Sequence, residues 1–203
     1  MAIDSHSHPP VPKRVITTND RDGKSVVQQI SPLHYRSYPG SKSSFSNLWT
    51  FDSVPTNDNE ISHTETASQN CCYPIAKAGL DHRVDGGERT ITGPGLGMVH
   101  AGGVSCRMND LEPGGRSTPM HRTTSTDVVV LVSGKLVLVL EDGSETVLAK
   151  PGDSIIQRGT PHAWKNTSNS EWTRFMTIMV DAEPVVVDGK PLKNEFWHGS
   201  KTR

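Results

Sequence analysis

Apolar residues along this chain come in short runs separated by polar turn residues. Residues 14–18 and 24–30 are rich in branched side chains, and the turn-forming residues 19–23 lie between them, which predicts an antiparallel hairpin. Similar runs follow in the C-terminal half at residues 103–109, 128–132, 135–140, 145–149, 154–157, 162–165 and 174–180. Short strands at a spacing of roughly eight to twelve residues predict an all-β sandwich or barrel.

The remaining segments carry weaker signals. Residues 48–51, 89–92 and 97–100 are further strand candidates, and residues 31–44 have the composition of a loop. Ser133-Gly134 lies between two apolar runs and predicts a hairpin turn. Residues 52–88 are polar, which predicts an irregular loop with room for one short helix. Such a long loop is usually either functional, for example as a cover over a pocket, or disordered.

The predicted strands and loops indicate that the 203 residues form one domain with extensions at both ends. We expect a disordered tail at residues 1–12, and N-terminal strands with a long polar loop that pack on a barrel at residues 13–100. Residues 101–183 are then the barrel itself, and residues 184–203 are a C-terminal tail.

Composition and charge argue against several classes of protein. The net charge is −1, so no basic surface for nucleic acid or anionic membrane is expected. No apolar run approaches the roughly 20 residues that span a bilayer, and residues 1–12 lack the apolar core of a signal peptide. We therefore expect a cytoplasmic protein. Cys71, Cys72 and Cys106 form no metal-binding or disulfide pattern and are expected to be reduced.

Three residues carry the candidate chemistry. Side chains alternate between the faces of a strand, so His121 shares a face with Thr123, and His162 shares a face with Trp164. If that face is the barrel interior, His121, Asp127 and His162 converge there. Two imidazoles and a carboxylate with open positions are typical of an Fe(II) facial triad, and Zn²⁺ or Mn²⁺ also accepts this set.

The spacing of these residues resembles the cupin family. The first cupin motif consists of a glycine, five residues, His-x-His, three or four residues, a glutamate, six residues and a glycine. Here Gly115, His121, Thr123, Asp127 and Gly134 keep that spacing. The second motif is matched by Gly152, Gly159, His162 and Asn166, with one residue fewer after the first glycine.

The resemblance implies a jelly-roll barrel, the double-stranded β-helix, with an N-terminal strand extension. The run Met-His-Arg-Thr-x-Ser-x-Asp and the later Gln-Arg-Gly-Thr-x-His-Ala-Trp-x-Asn are similar to small cupins of fungal secondary-metabolite clusters and of bacteria, which are often labelled cupin-domain oxidoreductases. Thr123 stands where the family has its second metal histidine, and Asp127 replaces the glutamate. The implied metal set is therefore reduced to His121, Asp127 and His162, and a site without metal remains the alternative.

Four further residues are candidates for substrate binding: Arg107, Thr123, Arg158 and Trp164. Arg158 could hold a carboxylate with two hydrogen bonds or could be a surface residue. Trp164 could line the floor of the pocket or belong to the barrel core. Arg122 alternates with His121 and should point outward, and we expect the remaining histidines with no partner spacing to be loop or surface residues: His34, His63, His82 and His100.

Three functions fit these residues. The first is a metal-assisted cupin enzyme that oxidises or decarboxylates a small oxygenated metabolite, either polyketide-like or carboxylate-like. The second is a metal-independent lyase that uses His121, His162 and Asp127 as acid and base groups in dehydration or cyclisation. The third is a non-catalytic cupin that binds a small ligand, although three convergent titratable groups argue against it. By analogy with cupins we also expect a homodimer.

Overall fold

The computed structural model describes residues 7–38, 40–51, 54–56, 98–99, 101–114 and 117–197. Within these ranges the chain is entirely β-structure and turns, which confirms the all-β prediction, and no helix is long and apolar enough to cross a membrane. The strands are β1 Lys13–Asn19, β2 Ser25–Pro32, β3 Arg36–Ser37, β4 Ser44–Phe51, β5 Val104–Leu111, β6 Met120–Arg122, β7 Ser125–Ser133, β8 Leu136–Leu140, β9 Glu145–Leu148, β10 Ser154–Arg158, β11 His162–Lys165, β12 Thr173–Asp181, β13 Val186–Val187, β14 Lys190–Pro191 and β15 Glu195–Trp197.

Two antiparallel sheets make up the body of the fold. One has six strands in the order β10-β7-β12-β5-β4-β3, and the other has five in the order β15-β6-β11-β8-β9. Strands β1 and β2 form a separate hairpin, as predicted, and Asp20 caps its turn by accepting hydrogen bonds from the backbone N–H groups of Asp22 and Lys24 at 2.9 and 2.8 Å.

The two sheets pack face to face around an apolar core. The side chains of β7 alternate between buried and half-buried along most of its length, which is the pattern of a strand with one face turned inward. Trp164 of β11 meets Phe175 of β12 with ring centroids 5.6 Å apart, so the contact joins the two sheets. The core contains Leu111, Val129, Leu131, Leu136, Leu138, Leu148, Trp164 and Phe175. Full burial of one large apolar side chain stabilises a fold by about 1.5–3 kcal/mol.

The turn at Ser133-Gly134 does not close a hairpin, and that prediction is wrong. Strand β7 pairs with β10 and β12, whereas β8 pairs with β9 and β11, so the chain crosses here from one sheet to the other. Gly134 has a φ of +78°, and a Cβ at this position would lie 2.9 Å from the Cα of Thr173 and would also meet the carbonyl oxygen of Trp172. A glycine is required at the crossover because the backbone of the next layer approaches so closely.

The N-terminal segment is not a free tail over its described part. Arg174 and the fully buried Asp110 form a bidentate pair, with both N–O distances at 2.7 Å. Arg174 also donates to the carbonyl of Pro10 at 2.8 Å, and Nε2 of His8 lies 3.3 Å from Asp110. These contacts correct the expectation of a disordered tail for residues 7–12, and residues 1–6 lie outside the described part.

The C-terminal segment is also more ordered than predicted. Strands β13 and β14 form a small hairpin, and β15 adds to the edge of the five-stranded sheet by pairing with β6. Residues 184–197 are therefore part of the fold and not a tail. Strand β3 lies inside the predicted loop 31–44, and residues 98–99 lie in a turn where a strand was expected. The expected strand 89–92 and most of the polar stretch 52–88, with Cys71 and Cys72, lie outside the described residues.

Candidate active site

Two histidines meet at the centre of the five-stranded sheet. Strands β6 and β11 are antiparallel, and His121 and His162 are directly opposite each other in the register. Residues opposite each other on neighbouring strands put their side chains on the same face. Both histidines are buried, and their ring centroids lie 4.3 Å apart at an interplanar angle of 51°.

Backbone hydrogen bonds fix the tautomer of both rings. Nδ1 of His121 lies 2.9 Å from the carbonyl oxygen of Pro119, and Nδ1 of His162 lies 2.9 Å from that of Thr160. A carbonyl oxygen can only accept, so each Nδ1 carries the hydrogen and donates it. In the neutral ring, Nε2 is then left with a free lone pair. Each carbonyl belongs to the residue two positions before its histidine, so the two loops build the same local arrangement.

Burial keeps both rings neutral. Desolvation lowers the pKa of His121 below its ordinary value. Desolvation also lowers the pKa of His162, to about 3, and the neighbouring His121 adds to the effect because two imidazolium charges would repel each other. Near neutral pH the pair therefore offers two lone pairs and no positive charge.

Aromatic rings enclose the pair. Phe196 of β15 stacks on His121, with centroids 5.1 Å apart and an angle of 16°. Trp164 meets the ring of His162 edge-on at 5.1 Å and belongs to the apolar core. The core interpretation of Trp164 is thus correct, and the same ring also forms a wall beside His162.

Asp127 lies on the opposite sheet. It belongs to β7 and is buried, and its Oδ1 has no hydrogen-bond partner in the described part of the chain. Burial raises its pKa to about 6, against the lowering effects of a hydrogen bond from Ser125 and of the positive charge of Arg107. No hydrogen bond or ion pair joins Asp127 to either imidazole among the described residues. The structure therefore pairs the two histidines directly, whereas the carboxylate of Asp127 enters from the facing sheet.

The other three sequence candidates occupy different positions. Arg107 of β5 is buried and its guanidinium lies over the ring of Phe45 at 5.3 Å, so it faces inward near Asp127. Thr123 is buried, and its Oγ1 accepts a hydrogen bond from Oγ of Ser125 at 2.9 Å. Arg158 is exposed and is not brought to the histidines, because strand alternation turns Gln157 inward in its place.

Gln157 is a site residue that sequence reasoning missed. Its Nε2 donates to the carbonyl oxygen of Thr160 at 3.1 Å and also contacts the hydroxyl of Thr160. That carbonyl also accepts the hydrogen bond from Nδ1 of His162, so Gln157 helps to hold the histidine in place. The sequence did offer one indication of Gln157, namely its position in a predicted strand two residues before the motif glycine Gly159. No comparable signal pointed to Phe196, which follows a polar segment.

The predicted three-ligand metal set does not fit this geometry. Among the residues that the structure describes, no group of three or more His, Cys, Asp or Glu side chains lies close enough together to hold a metal ion. His121 and His162 provide two imidazole donors, and Asp127 does not complete the set. A catalytic zinc site ordinarily needs three protein ligands.

Comparison with known proteins identifies the central part of the chain. Residues 107–179 match a family model described as "Cupin domain". The chain is 43% identical over 101 residues to the phomopsin biosynthesis cluster protein C' of Diaporthe leptostromiformis, a match that covers 50% of this chain and 51% of that protein. It is 29% identical over 183 residues to the cupin-domain-containing oxidoreductase fogC of Aspergillus ruber, a match that covers 89% and 77%.

The chain spans about half the length of the curated relatives that it matches at the highest identity. Among solved structures, it is similar to the polyketide cyclase RemF of Streptomyces resistomycificus, with a TM-score of 0.44 and 17% sequence identity over 83% of each chain. The matched residues 107–179 contain both histidines and the carboxylate described above.

Proposed function

Because this chain carries a cupin domain, we propose that it is an enzyme of secondary metabolism that performs acid–base chemistry on a small oxygenated metabolite. Relatives named as proteins of fungal biosynthesis clusters and as cupin-domain oxidoreductases support the assignment to an enzyme of such metabolism. One observation supports acid–base chemistry as the reaction type. Two neutral imidazoles with free Nε2 lone pairs share the barrel interior with a buried carboxyl group whose pKa is about 6.

Asp127 is the proton-transfer group in this proposal. A general acid–base residue works best when its pKa lies near the operating pH, and a carboxyl with a pKa of about 6 meets that condition. The low pKa of His162 makes its ring a weak base and suits it to accept a hydrogen bond from a substrate hydroxyl. The positive charge of Arg107 beside Asp127 can stabilise an oxyanion that develops on the substrate.

The reaction class that fits these roles is dehydration of a β-hydroxy carbonyl compound. The ionised carboxylate of Asp127 takes a proton from the carbon next to the carbonyl, and the electron pair forms an enolate beside Arg107. The carboxyl group then returns that proton to the leaving β-hydroxyl group, so that one water molecule departs and a carbon–carbon double bond remains. Asp127 ends the cycle ionised, as it began.

The test uses a panel of small β-hydroxy ketones in D₂O, followed by proton NMR. We expect the wild-type protein to exchange the proton next to the carbonyl and to release water from at least one compound. Asp127→Asn should lower the rate by about 100-fold or more, which is the usual contribution of a general base. Asp22→Asn, which removes an exposed carboxylate from a distant turn, is the matched control. Full turnover by Asp127→Asn, or no exchange by the wild type, would contradict the proposal.

A metal-assisted oxidation is the second candidate. It is favoured by the hydrogen bonds from both Nδ1 atoms to backbone carbonyls, because metal-binding histidines commonly have this arrangement. It requires a third ligand beyond those the described residues bring together. Metal content measured by mass spectrometry on wild type, His162→Ala and the exposed control His34→Ala separates the candidates. Stoichiometric metal that is lost only in His162→Ala favours oxidation, and a site that refuses added metal favours the lyase.

A further inference from the structure

A groove lies beside the segment that connects β6 and β7. Its volume is about 520 Å³, within the range of roughly 300–1,000 Å³ that small-molecule sites occupy. Residues 122–126 form one wall, the end of β10 with Arg158 to Thr160 forms the second, and residues from the C-terminal segment form the third. His121 and His162 do not line this groove.

Two arginines give the groove its charge. Arg122 alternates with the inward His121 on β6, and its guanidinium lies 5.6 Å from the ring centre of Trp197, which holds it in position. The Nε–H of Arg122 is buried and has no hydrogen-bond partner among the described residues. Arg158 faces solvent from the opposite wall. Glu183 also lines the groove, yet within the described ranges it forms no ion pair with either arginine.

The remaining lining indicates which kind of anion fits. The side chains of Thr124, Thr126 and Thr160 add hydroxyl groups, and Ile156 and Val185 add exposed apolar surface. The closely packed Gly159 forms part of the floor, where an added Cβ would lie 3.3 Å from Cγ2 of Val185. Guanidinium groups suit carboxylates in particular, because the two can form paired hydrogen bonds.

We propose that this groove is a binding site for a small organic carboxylate with an apolar body, separate from the histidine site. The carboxylate group accepts hydrogen bonds from the guanidinium groups of Arg122 and Arg158, which both line the groove. The apolar body lies against Ile156 and Val185. The site does not depend on the proposed reaction, because neither His121 nor His162 lines the groove.

The probe pair for the test is sodium benzoate and benzyl alcohol, which share a ring and differ in charge. Binding is followed by NMR through the Nε–H of Arg122, the backbone amides of Thr124 and Thr126, and the methyl groups of Val185. We expect benzoate to move these signals in a saturable way and benzyl alcohol to bind about tenfold more weakly or worse. Equal binding of the two probes, or no saturable change with benzoate, would overturn the proposal.

Variants assign the effect to the two arginines. Arg122→Gln and Arg158→Gln should each weaken benzoate binding by about tenfold. Arg158 is exposed, so its substitution leaves the packing unchanged and keeps the test valid if Arg122→Gln fails to fold. Lys193→Gln removes a nearby exposed positive charge outside the groove and should leave binding within about twofold, because exposed charges are screened. Unchanged binding in Arg158→Gln would overturn the proposal.

The His162→Ala variant tests whether the groove and the histidine site are independent. Retained benzoate binding in this variant would separate the groove from the proposed reaction, and loss of binding would refute the proposal of two independent sites.

Discussion

At the scale of single residues, the site depends on burial that shifts pKa values in opposite directions. The interior holds His162 in its neutral form and favours the protonated form of Asp127. Desolvation is the largest cause in both residues, because a charged group loses the solvation that water provides. Near neutral pH the histidine therefore acts as an acceptor, while the carboxyl group exchanges its proton with a substrate or with water.

These shifts predict opposing contributions to stability. The pKa of His162 is about 3 in the folded protein against an ordinary 6.5, so the unfolded chain binds an additional proton between these values and stability falls as the pH falls. The pKa of Asp127 is about 6 against an ordinary 3.8, so the folded protein retains a proton that the unfolded chain releases, and stability falls as the pH rises through this range.

Asp127→Asn should therefore steepen the loss of stability between about pH 6 and pH 4, because only the histidine contribution remains. A shift of one pKa unit corresponds to about 1.4 kcal/mol, so the difference between variant and wild type should change by at most about 3 kcal/mol across that range. Urea unfolding at a series of pH values measures it. Parallel curves for wild type and variant would show that the environment of Asp127 is not the one described here.

At the scale of elements, the crossover after β7 decides how the histidines and the carboxylate are separated. The glycine turn sends β8 into the five-stranded sheet, so that His162 pairs beside Leu140 of β8 while Asp127 stays in the six-stranded sheet. The motif spacing correctly predicted that all three are buried, and it could not show that they come from two different sheets.

Gly134→Ala should test the crossover. A side chain here faces both an unfavourable φ of +78° and a backbone contact at 2.9 Å, so the free energy of unfolding should fall by more than about 2 kcal/mol. Gly143→Ala is the matched control, because its φ is +84° and nothing lies within 4 Å of the added carbon, which leaves only a strain of about 1–2 kcal/mol. Equal losses in chemical denaturation of the two variants would contradict the close approach.

The sequence predicted best several short strands that are bounded by clear turn residues. Predicted strands 14–18, 162–165 and 174–180 lie within β1, β11 and β12. The missed elements β13, β14 and β15 have two or three residues each, which is too short for a periodic pattern. Strand β15 forms because the edge of β6 is available for pairing, and such a tertiary cause leaves no local trace in the sequence.

At the scale of the whole molecule, the two sheets turn different chemistry toward one interior. The five-stranded sheet contributes the imidazole pair, and the six-stranded sheet contributes Asp127, Arg107 and Gln157. Sequence spacing found the histidines and the carboxylate because they follow the motif glycines. The residues that contact these three side chains could not be predicted from the sequence. They depend on how the sheets pack and on the C-terminal strand β15, which places Phe196 against the ring of His121.

The central claim is that the interior presents two neutral imidazoles with hydrogen on Nδ1 and a free Nε2. The most direct measurement is a nitrogen-15 NMR titration of the histidine rings in the labelled protein, with His121→Ala and His162→Ala used to assign the signals. We predict that both rings have the Nδ1–H tautomer at about pH 8, that His162 stays neutral down to about pH 5, and that His121 protonates only below its ordinary pKa of 6.5. Protonation of His162 near its ordinary pKa of 6.5, or hydrogen on Nε2 of either neutral ring, would contradict the account.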